Sequence, residues 1–212
     1  LASLNVAGIE IENSTNSEVY ENEAVDNTGG ILVFDLPNLS REGTRTKVYN
    51  NVMRDNNTSN FAPPGSIVGV VPTGTGMLIM AFTDVEVFNN VIENNQSSAI
   101  AIVHYDISGR PTDDVNYDGT PRRVYIHDNQ ISNNAYEPVD LAAQLGPLFA
   151  AAGGLPEIFY DGIGEQAGRF AESDRICVAE DPSVKRGILF GENGASTDPA
   201  YFDCAHASLP EV

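Results

Sequence analysis

The chain has 212 residues, of which 30 are acidic and 11 basic, so its formal net charge is −19. This excess of carboxylates argues against nucleic acid and anionic lipid as partners, because binding phosphate needs clustered Lys and Arg. No apolar run approaches the roughly 18 to 20 residues of a transmembrane helix, so we expect no membrane span. Hydrophobic residues make up 42% of the chain, enough for a packed core.

A nine-residue pattern occurs four times before residue 135. Each copy begins with a β-branched residue and has Asn at its fourth and ninth places; the copies are 19–27, 48–56, 87–95 and 126–134. Asn tolerates the left-handed backbone region and therefore suits tight bends. Asn side chains stacked from one repeat to the next can also hydrogen-bond to one another. We therefore predict an Asn ladder of Asn22, Asn51, Asn90 and Asn129.

A short apolar strand accompanies each copy of the pattern. These strands begin at Gly8, Gly30, Gly76 and Ala99, which gives spacings of 22 residues for the first pair and 23 for the last. Such a period is typical of one coil of a parallel β-helix, with about three short strands joined by tight bends. We therefore predict an all-β solenoid with coils of about 22 residues.

Three insertions lengthen the coils, at residues 36–47, 57–75 and 107–123. Solenoids often concentrate insertions on the face that binds a ligand. The alternative is that the loops have simply drifted in length.

The composition changes after Asn134. Residues 139–152 are rich in Ala and Leu and are predicted to be helical, with a break or kink at Gly146-Pro147. Residues 153–212 are irregular. We therefore predict coils over 1–138 and a C-terminal cap over 139–212, which covers the open strand edges of the last coil or packs along the solenoid. The opposite end leads straight into a coil, so we expect earlier coils, a partner or a second copy there.

The only two cysteines, Cys177 and Cys204, are 27 residues apart and have no His or Cys at metal-site spacing around them. This pattern favours one disulfide, and two buried free thiols are the alternative. A disulfide, a heavy excess of acids and only two Lys together favour an exported protein, located in the extracellular space, the periplasm or the cell surface.

The coil pattern Gly-Ile-x-Ile followed by Val-x-Asn-Asn-x-Ile-x-x-Asn resembles the right-handed parallel β-helix repeat of the pectate-lyase-like superfamily. More narrowly, residues 6–160 are similar to secreted or lipoprotein bacterial β-helix proteins of unknown function, through segments 8–14, 29–37, 60–64 and 125–129. The resemblance implies a right-handed solenoid with further coils before residue 6. The superfamily includes polysaccharide lyases, glycoside hydrolases, uronan epimerases and non-catalytic surface proteins, so it leaves the activity open.

The sharpest local motif is a run of oxygen-bearing side chains in the third insertion. Asp114, Asn116 and Asp118, followed by Gly119, match alternate ligand places of a calcium loop. The place at which an EF-hand supplies a bidentate Glu is Tyr125, and the flanks are predicted strands, which excludes an EF-hand. We expect either a shorter Asp-rich Ca²⁺ site or an acidic loop held by Asx turns.

A second group combines cationic, imidazole and phenol side chains. Lyases of uronic-acid polymers need a cation, a base and an acid, and His104, Tyr105 and Arg122 are the catalytic candidates. The candidates for ligand binding are Asp106, Arg110, Tyr117 and Tyr125. The alternative is that His104 and Tyr105 merely end a strand while Arg122 offsets local acids. Motifs of serine hydrolases, nucleotide enzymes and zinc proteases are absent from the sequence.

Three functions remain open. The first is binding, with or without modification, of an acidic or neutral polysaccharide. The second is a non-catalytic surface or matrix scaffold stabilised by calcium. The third is a uronan lyase or epimerase, which the net charge of −19 disfavours unless calcium bridges an anionic polymer. We expect binding or scaffolding ahead of catalysis.

Overall fold

The computed structural model describes residues 1–166, 168 and 170–211. Its strands form three sheets, A, B and C, which the chain visits in that order in each coil. Sheet A contains β1 (Ala2–Ser3), β4 (Glu23–Val25), β7 (Val52–Arg54), β10 (Val91–Glu93) and β13 (Gln130–Ser132). Sheet B contains β2 (Ala7–Glu12), β5 (Gly29–Phe34), β8 (Thr75–Met80), β11 (Ser98–Val103), β14 (Ile158–Tyr160), β16 (Arg186–Gly191) and β17 (Gly194–Ser196). Sheet C contains β3 (Thr15–Tyr20), β6 (Thr44–Tyr49), β9 (Thr83–Phe88), β12 (Arg122–His127) and β15 (Ile176–Ala179).

All the strand pairs are parallel except β16 with β17. The prediction of an all-β parallel β-helix is therefore confirmed. Helical segments are short. They are α1 (Asp140–Leu145), α2 (Ile163–Gln166) and the 3₁₀ segments Ile67–Val70, Tyr105–Ser108, Gly146–Ala152, Glu172–Asp174 and Pro199–Tyr201. No helix in the described part of the chain is long and apolar enough to cross a membrane.

The alternation of side chains along each strand fills the interior of the solenoid. Residues at equivalent places in successive coils stand in register, so that Ile31, Met77 and Ile100 form one fully buried column of sheet B. Val48, Val87 and Ile126 do the same in sheet C. Because the side-chain period of a strand is two, the same register fixes which residues point outward.

Two Asn ladders occupy the bends between sheets. In the first, the backbone N–H and Nδ2 of Asn51 both donate to Oδ1 of Asn90, each at 3.0 Å, and Asn90 donates to Asn129 in the same way at 2.9 Å. Asn22 donates to Asn51 at 3.0 and 3.1 Å. The second ladder consists of Asn5, Asn27, Asn56, Asn95 and Asn134. The residue before each Asn of the first ladder has a positive φ, as a tight bend requires.

The outer face of sheet B carries a second apolar cluster. Leu32, Leu78 and Phe159 occupy one outward column on β5, β8 and β14, with Ala101 of β11 between the last two, and all three are buried. Their cover comes from the insertion between β7 and β8, from α1 and from the 3₁₀ segment Gly146–Ala152, which contribute Val71, Ala142 and Phe149 among others. Much of the inserted sequence is therefore used to bury a sheet face.

Residues 139–211 do more than cap the solenoid. Within them, β14 and β16 extend sheet B and β15 extends sheet C, all in parallel register with the coils before them. Residue 138 thus marks the end of the Asn-containing repeats, while the parallel sheets continue beyond it. Cys177 of β15 is bonded to Cys204, and the described residues include no free cysteine.

Candidate functional site

Two insertions that are far apart in sequence come together where the chain passes from sheet B to sheet C. The first, predicted at 36–47, occupies residues 35–43 between β5 and β6, and the third, predicted at 107–123, occupies residues 104–121 between β11 and β12. The backbone N–H of Asn38 donates to Oδ2 of Asp114 at 2.9 Å, and its Nδ2 donates to Asp113 at 3.1 Å. The hydroxyl of Tyr117 donates to the backbone carbonyl of Asp35 at 2.7 Å.

The space between these loops is a polar cleft of about 370 Å³, which we call the insertion cleft. Its lining residues are Asp35, Leu36, Leu39, Ser40, Arg41, Glu42, Asp114, Asn116 and Tyr117. Carboxylates, a guanidinium, an amide and a phenol therefore converge on one concave surface. Such convergence of polar groups is typical of small-molecule and ligand sites.

Local turns fix the shape of the third insertion. Oδ1 of Asp114 accepts the backbone N–H of Asn116, and Oδ1 of Asp118 accepts that of Thr120, each at 3.1 Å. Gly119 lets the loop approach Tyr105 closely, because a Cβ on Gly119 would lie only 2.7 Å from the Cβ of Tyr105. A larger residue at 119 would therefore push the loop away from the solenoid.

The cleft contains a carboxyl with a raised pKa, that of Asp35, which directly follows β5. Burial raises the pKa of Asp35 to about 6, and the nearby Glu42 carboxylate acts in the same direction, while a hydrogen bond from Gly43 opposes them. That bond, from the Gly43 N–H to Oδ1, is 2.7 Å long. A carboxyl that titrates near neutrality in a cleft is the kind of group that acid–base chemistry uses. Sequence reasoning missed Asp35, although its place between a fully apolar strand and an insertion was a usable signal.

The predicted calcium ligands lie in or beside the cleft, but their oxygens have other partners. Asp114 accepts N–H groups from Asn38 and Asn116, and these bonds hold the pKa of Asp114 below its usual value. Asp118 forms an ion pair with Arg122 at 2.5 Å. Among the described residues, no group of three or more His, Cys, Asp or Glu is placed to hold a metal ion. Calcium binding by this loop stays a prediction.

The three catalytic candidates lie under or beside the loop. His104 and Tyr105 are both buried, and Nδ1 of His104 accepts the backbone N–H of Asp106 at 3.0 Å. Tyr105 packs edge-on against Tyr117, with ring centroids 5.2 Å apart. Arg122 pairs with Asp118 and, at 2.9 Å, with Asp174 of the C-terminal region. Their catalytic role stays a prediction, and the contacts described above are those of a packed support for the third insertion.

The remaining ligand-binding candidates lie in different parts of the structure. Asp106 is exposed at the start of the third insertion, and Tyr117 lines the cleft. The guanidinium of Arg110 donates to the carbonyl of Gly65 and so joins the third insertion to the second. Tyr125 lies away from the cleft lining, on the outer face of sheet C, where its ring stacks on His127 with centroids 4.3 Å apart.

Stacked rings also form a column at the ends of the sheet C strands. Tyr20, Tyr49, Phe88 and His127 lie in successive coils, with centroids 5.1, 5.0 and 5.4 Å apart and nearly parallel planes. Because each ring covers the face of the next, mainly ring edges remain for solvent. The column therefore stabilises the coil stacking and offers few free ring faces to a sugar.

Comparison with known proteins identifies the family. The profile described as "Right handed beta helix region" matches residues 2–109, just over half of the chain. The chain therefore belongs to the right-handed β-helix family. No curated protein and no solved structure shows a significant match to it.

Proposed function

We propose that this protein binds polysaccharide in the insertion cleft. The observation that carries the proposal is the meeting of two insertions, more than 60 residues apart in sequence, around convergent planar polar side chains. Sugar hydroxyls both donate and accept, so carboxylates, amides and guanidinium groups such as those of Glu42, Asn116 and Arg41 suit them. Leu39 is 51% exposed and Tyr117 lines the same cleft, which adds apolar surface for the sugar ring.

Charge favours a neutral glycan over an anionic one. The cleft contains three carboxylic acids, Asp35, Glu42 and Asp114, against the single guanidinium of Arg41 among its lining residues. The chain as a whole carries −19. An anionic polymer would meet like charge at long range and in the cleft, which lowers both association rate and affinity.

The test is a binding titration against a panel of neutral glycans, pectate and alginate. We expect saturable binding to a neutral glycan and at least a tenfold loss in the Arg41→Ala and Asn116→Ala variants. The matched control is Arg54→Ala, which removes a guanidinium that pairs with Glu23 and Asp55 on sheet A, outside the cleft. Unchanged affinity in the cleft variants, or no binding to any glycan, would contradict the proposal.

Calcium binding at Asp114, Asn116 and Asp118 and export from the cytoplasm remain parts of the proposal. Calcium would have to replace N–H groups that now hold Asp114 and the guanidinium that holds Asp118. If the loop binds calcium, we expect calcium to raise the melting temperature and chelator to restore it. The melting temperature of the Asp114→Asn variant should not respond to calcium. The disulfide supports export, because such bonds persist mainly in oxidising compartments.

The second candidate function is a scaffold extended at the N-terminal coil, and the polarity of the ladders favours it. Every Asn donates to the next coil, so the acceptors Oδ1 of Asn5 and Asn22 have no donor within the described residues. Two copies meeting face to face at this end would oppose acceptor with acceptor. A partner that presents its own amide N–H groups to this end would supply these donors. Association in sedimentation velocity that Tyr20→Asp abolishes would instead indicate contact between copies.

A further inference from the structure

The last described residues, 204–211, form a strap on the outer face of sheet C. Cys204 is bonded to Cys177. The ring of His206 meets that of Tyr125 edge-on, with centroids 6.4 Å apart, and the backbone N–H of Leu209 donates to Oε2 of Glu86 at 2.9 Å.

These three contacts follow one column of the sheet. Cys177, Tyr125 and Glu86 are successive register partners in β15, β12 and β9. The strap therefore runs back along the solenoid, across three coils, toward its N-terminal end. The column continues with Lys47 and Glu18. We call this column of five residues the sheet C track.

The strap is extended and held by few polar contacts. Residues 203–211 contain no helix or strand, and Ala205, Ala207 and Ser208 are exposed. Besides the Leu209 bond, its described polar contacts to the rest of the fold include one from Nε2 of His206 to the carbonyl of Arg175 at 2.7 Å. Segments with few buried contacts open at a low free-energy cost. Opening of the strap therefore costs less free energy than opening of the sheets, and the disulfide keeps Cys204 in place.

Groups suited to a peptide line the track. Glu86 is only 4% exposed and pairs with Nε2 of His127 at 3.3 Å as well as with Leu209. Further along the track, Glu18 accepts the hydroxyl proton of Tyr49 at 3.1 Å, and the neighbouring Tyr20 is 48% exposed. A backbone N–H donating to a carboxylate is a charge-assisted hydrogen bond, which any extended peptide can reproduce.

We propose that the sheet C track binds an extended, cationic polypeptide segment of a partner, and that the strap is its tethered competitor. The bound strap shows how such a segment would lie on the track. Its extended main chain donates a hydrogen bond to Glu86 and places a ring against Tyr125. The charge of the track favours a cationic segment, because Glu18 and Glu86 flank Lys47, the one cation of the track, and the whole chain carries −19. The tether gives the strap a high effective concentration, so an outside peptide binds well only when the strap is released.

The test uses the 212-residue chain and two variants of it at one position. Leu209→Pro removes the N–H that Glu86 accepts, whereas the matched control Leu209→Ala keeps it. The probes are a fluorescent peptide with the sequence of residues 205–211 and the same peptide carrying Glu211→Lys. We expect Leu209→Pro to bind the lysine peptide at least fivefold more tightly than the unaltered protein does, and Leu209→Ala to stay within twofold.

Further measurements locate the peptide-binding site and identify the class of ligand. Adding Glu86→Gln to Leu209→Pro should lower peptide affinity at least tenfold, whereas adding Glu93→Gln, on sheet A, should not change it. In the unaltered protein, saturating lysine peptide should speed hydrogen exchange in residues 205–211 as the strap is displaced, a readout that needs no variant to fold. Equal peptide affinity in all three proteins would overturn the proposal. So would a Glu86-dependent gain of glycan binding in Leu209→Pro without peptide binding.

Discussion

At the scale of single residues, the buried amides of the Asn ladders are fully used. Oδ1 of Asn90 accepts two bonds from Asn51, and its Nδ2 donates to the carbonyls of Val48 and Phe88 and to Asn129. A buried polar side chain costs free energy unless its hydrogen bonds are made. Because they are made here, Asn at this place stabilises the bend instead of weakening it.

Replacing an Asn inside the ladder should therefore cost more than replacing one at its open end. We expect Asn90→Leu to lower the free energy of unfolding by about 2–4 kcal/mol, since the Asn51 donors lose their acceptor and two carbonyls lose a donor. Asn22→Leu should cost less, because Oδ1 of Asn22 has no donor in the described structure. Urea denaturation of both variants measures the two losses in the free energy of unfolding. Equal losses would argue against a directional ladder.

A second residue-scale feature is the carboxyl of Asp161, just after β14. It is fully buried and accepts the backbone N–H groups of His104 at 2.6 Å and Ile163 at 3.1 Å. Burial raises the pKa of Asp161 to about 7, although these hydrogen bonds oppose the shift. Its folded-state pKa thus lies above the ordinary value of 3.8.

The sign of the resulting pH dependence follows from proton binding. Between about pH 4 and 7 the folded protein binds more protons at Asp161 than the unfolded chain does, so its stability falls as the pH rises through this range. We expect the free energy of unfolding to be lower at pH 8 than at pH 5 by about 1–3 kcal/mol. Asp161→Asn should reduce that difference, and the control Asp203→Asn, at an exposed site, should leave it unchanged. Equal stability of the unaltered protein at the two pH values would refute the assignment.

At the scale of elements, the strands β5, β8 and β14 of sheet B are buried on both faces. Their inner side chains fill the solenoid, while their outer column lies under α1, the 3₁₀ segment Gly146–Ala152 and the second insertion. Phe159 of β14 is 3% exposed and packs edge-on against Phe149 of this cover, with ring centroids 6.2 Å apart. The cover is thus a second hydrophobic core, and its elements are part of the fold.

This second core predicts a large effect for an outward-facing residue. Phe159→Ala should destabilise the protein by about 3–5 kcal/mol, as truncation of a buried aromatic does elsewhere. Tyr20→Ala, an outward aromatic of sheet C that is half exposed, should cost less than about 1 kcal/mol. Thermal and urea unfolding distinguish the two. A small loss for Phe159→Ala would mean that the cover does not pack tightly on sheet B.

At the scale of the whole molecule, the two ends of the solenoid differ. At the C-terminal end, Glu180 accepts both donors of Asn129, at 3.2 and 2.7 Å, and β16 pairs with the antiparallel β17. Carboxylates accept and do not donate, so the first ladder stops there. The C-terminal end is thus a closed end of the ladder, whereas at the N-terminal end Oδ1 of Asn5 and Oδ1 of Asn22 have no donor within the described residues.

Removing the closed end should expose strand edges. A chain ending at residue 138 would uncover β11 and β12, with Ile100 and Ile126 in the open interior. We expect this chain to lose cooperative melting and to aggregate, because unpaired edges recruit other strands. A chain ending at residue 205, which keeps the disulfide, should melt cooperatively near the unaltered temperature. Light scattering and circular dichroism monitor both, and a stable soluble 1–138 chain would contradict the expectation.

Much of the fold could be predicted from sequence, because the repeat is local and periodic. An Asn at a fixed place in each coil specifies a bend, and the alternation around Val48 and Val87 specifies which side chains point inward. The candidate site could be predicted only in part. Tyr117, Asp114 and Asn116 were singled out and do line the cleft, whereas Asp35 was missed, since its raised pKa comes from burial by other segments.

The sequence by itself determined the coil length, the position of the bends, the pairing expected of Cys177 with Cys204 and the acidic surface. Only the tertiary structure decided that the first and third insertions meet, that His104 and Tyr105 are buried and that the strap follows the sheet C track. The reason is physical. A repeat fixes neighbours one coil away through hydrogen-bond register, whereas insertions and tails have no period, and their partners are chosen by which apolar and polar surfaces the stacked coils leave uncovered.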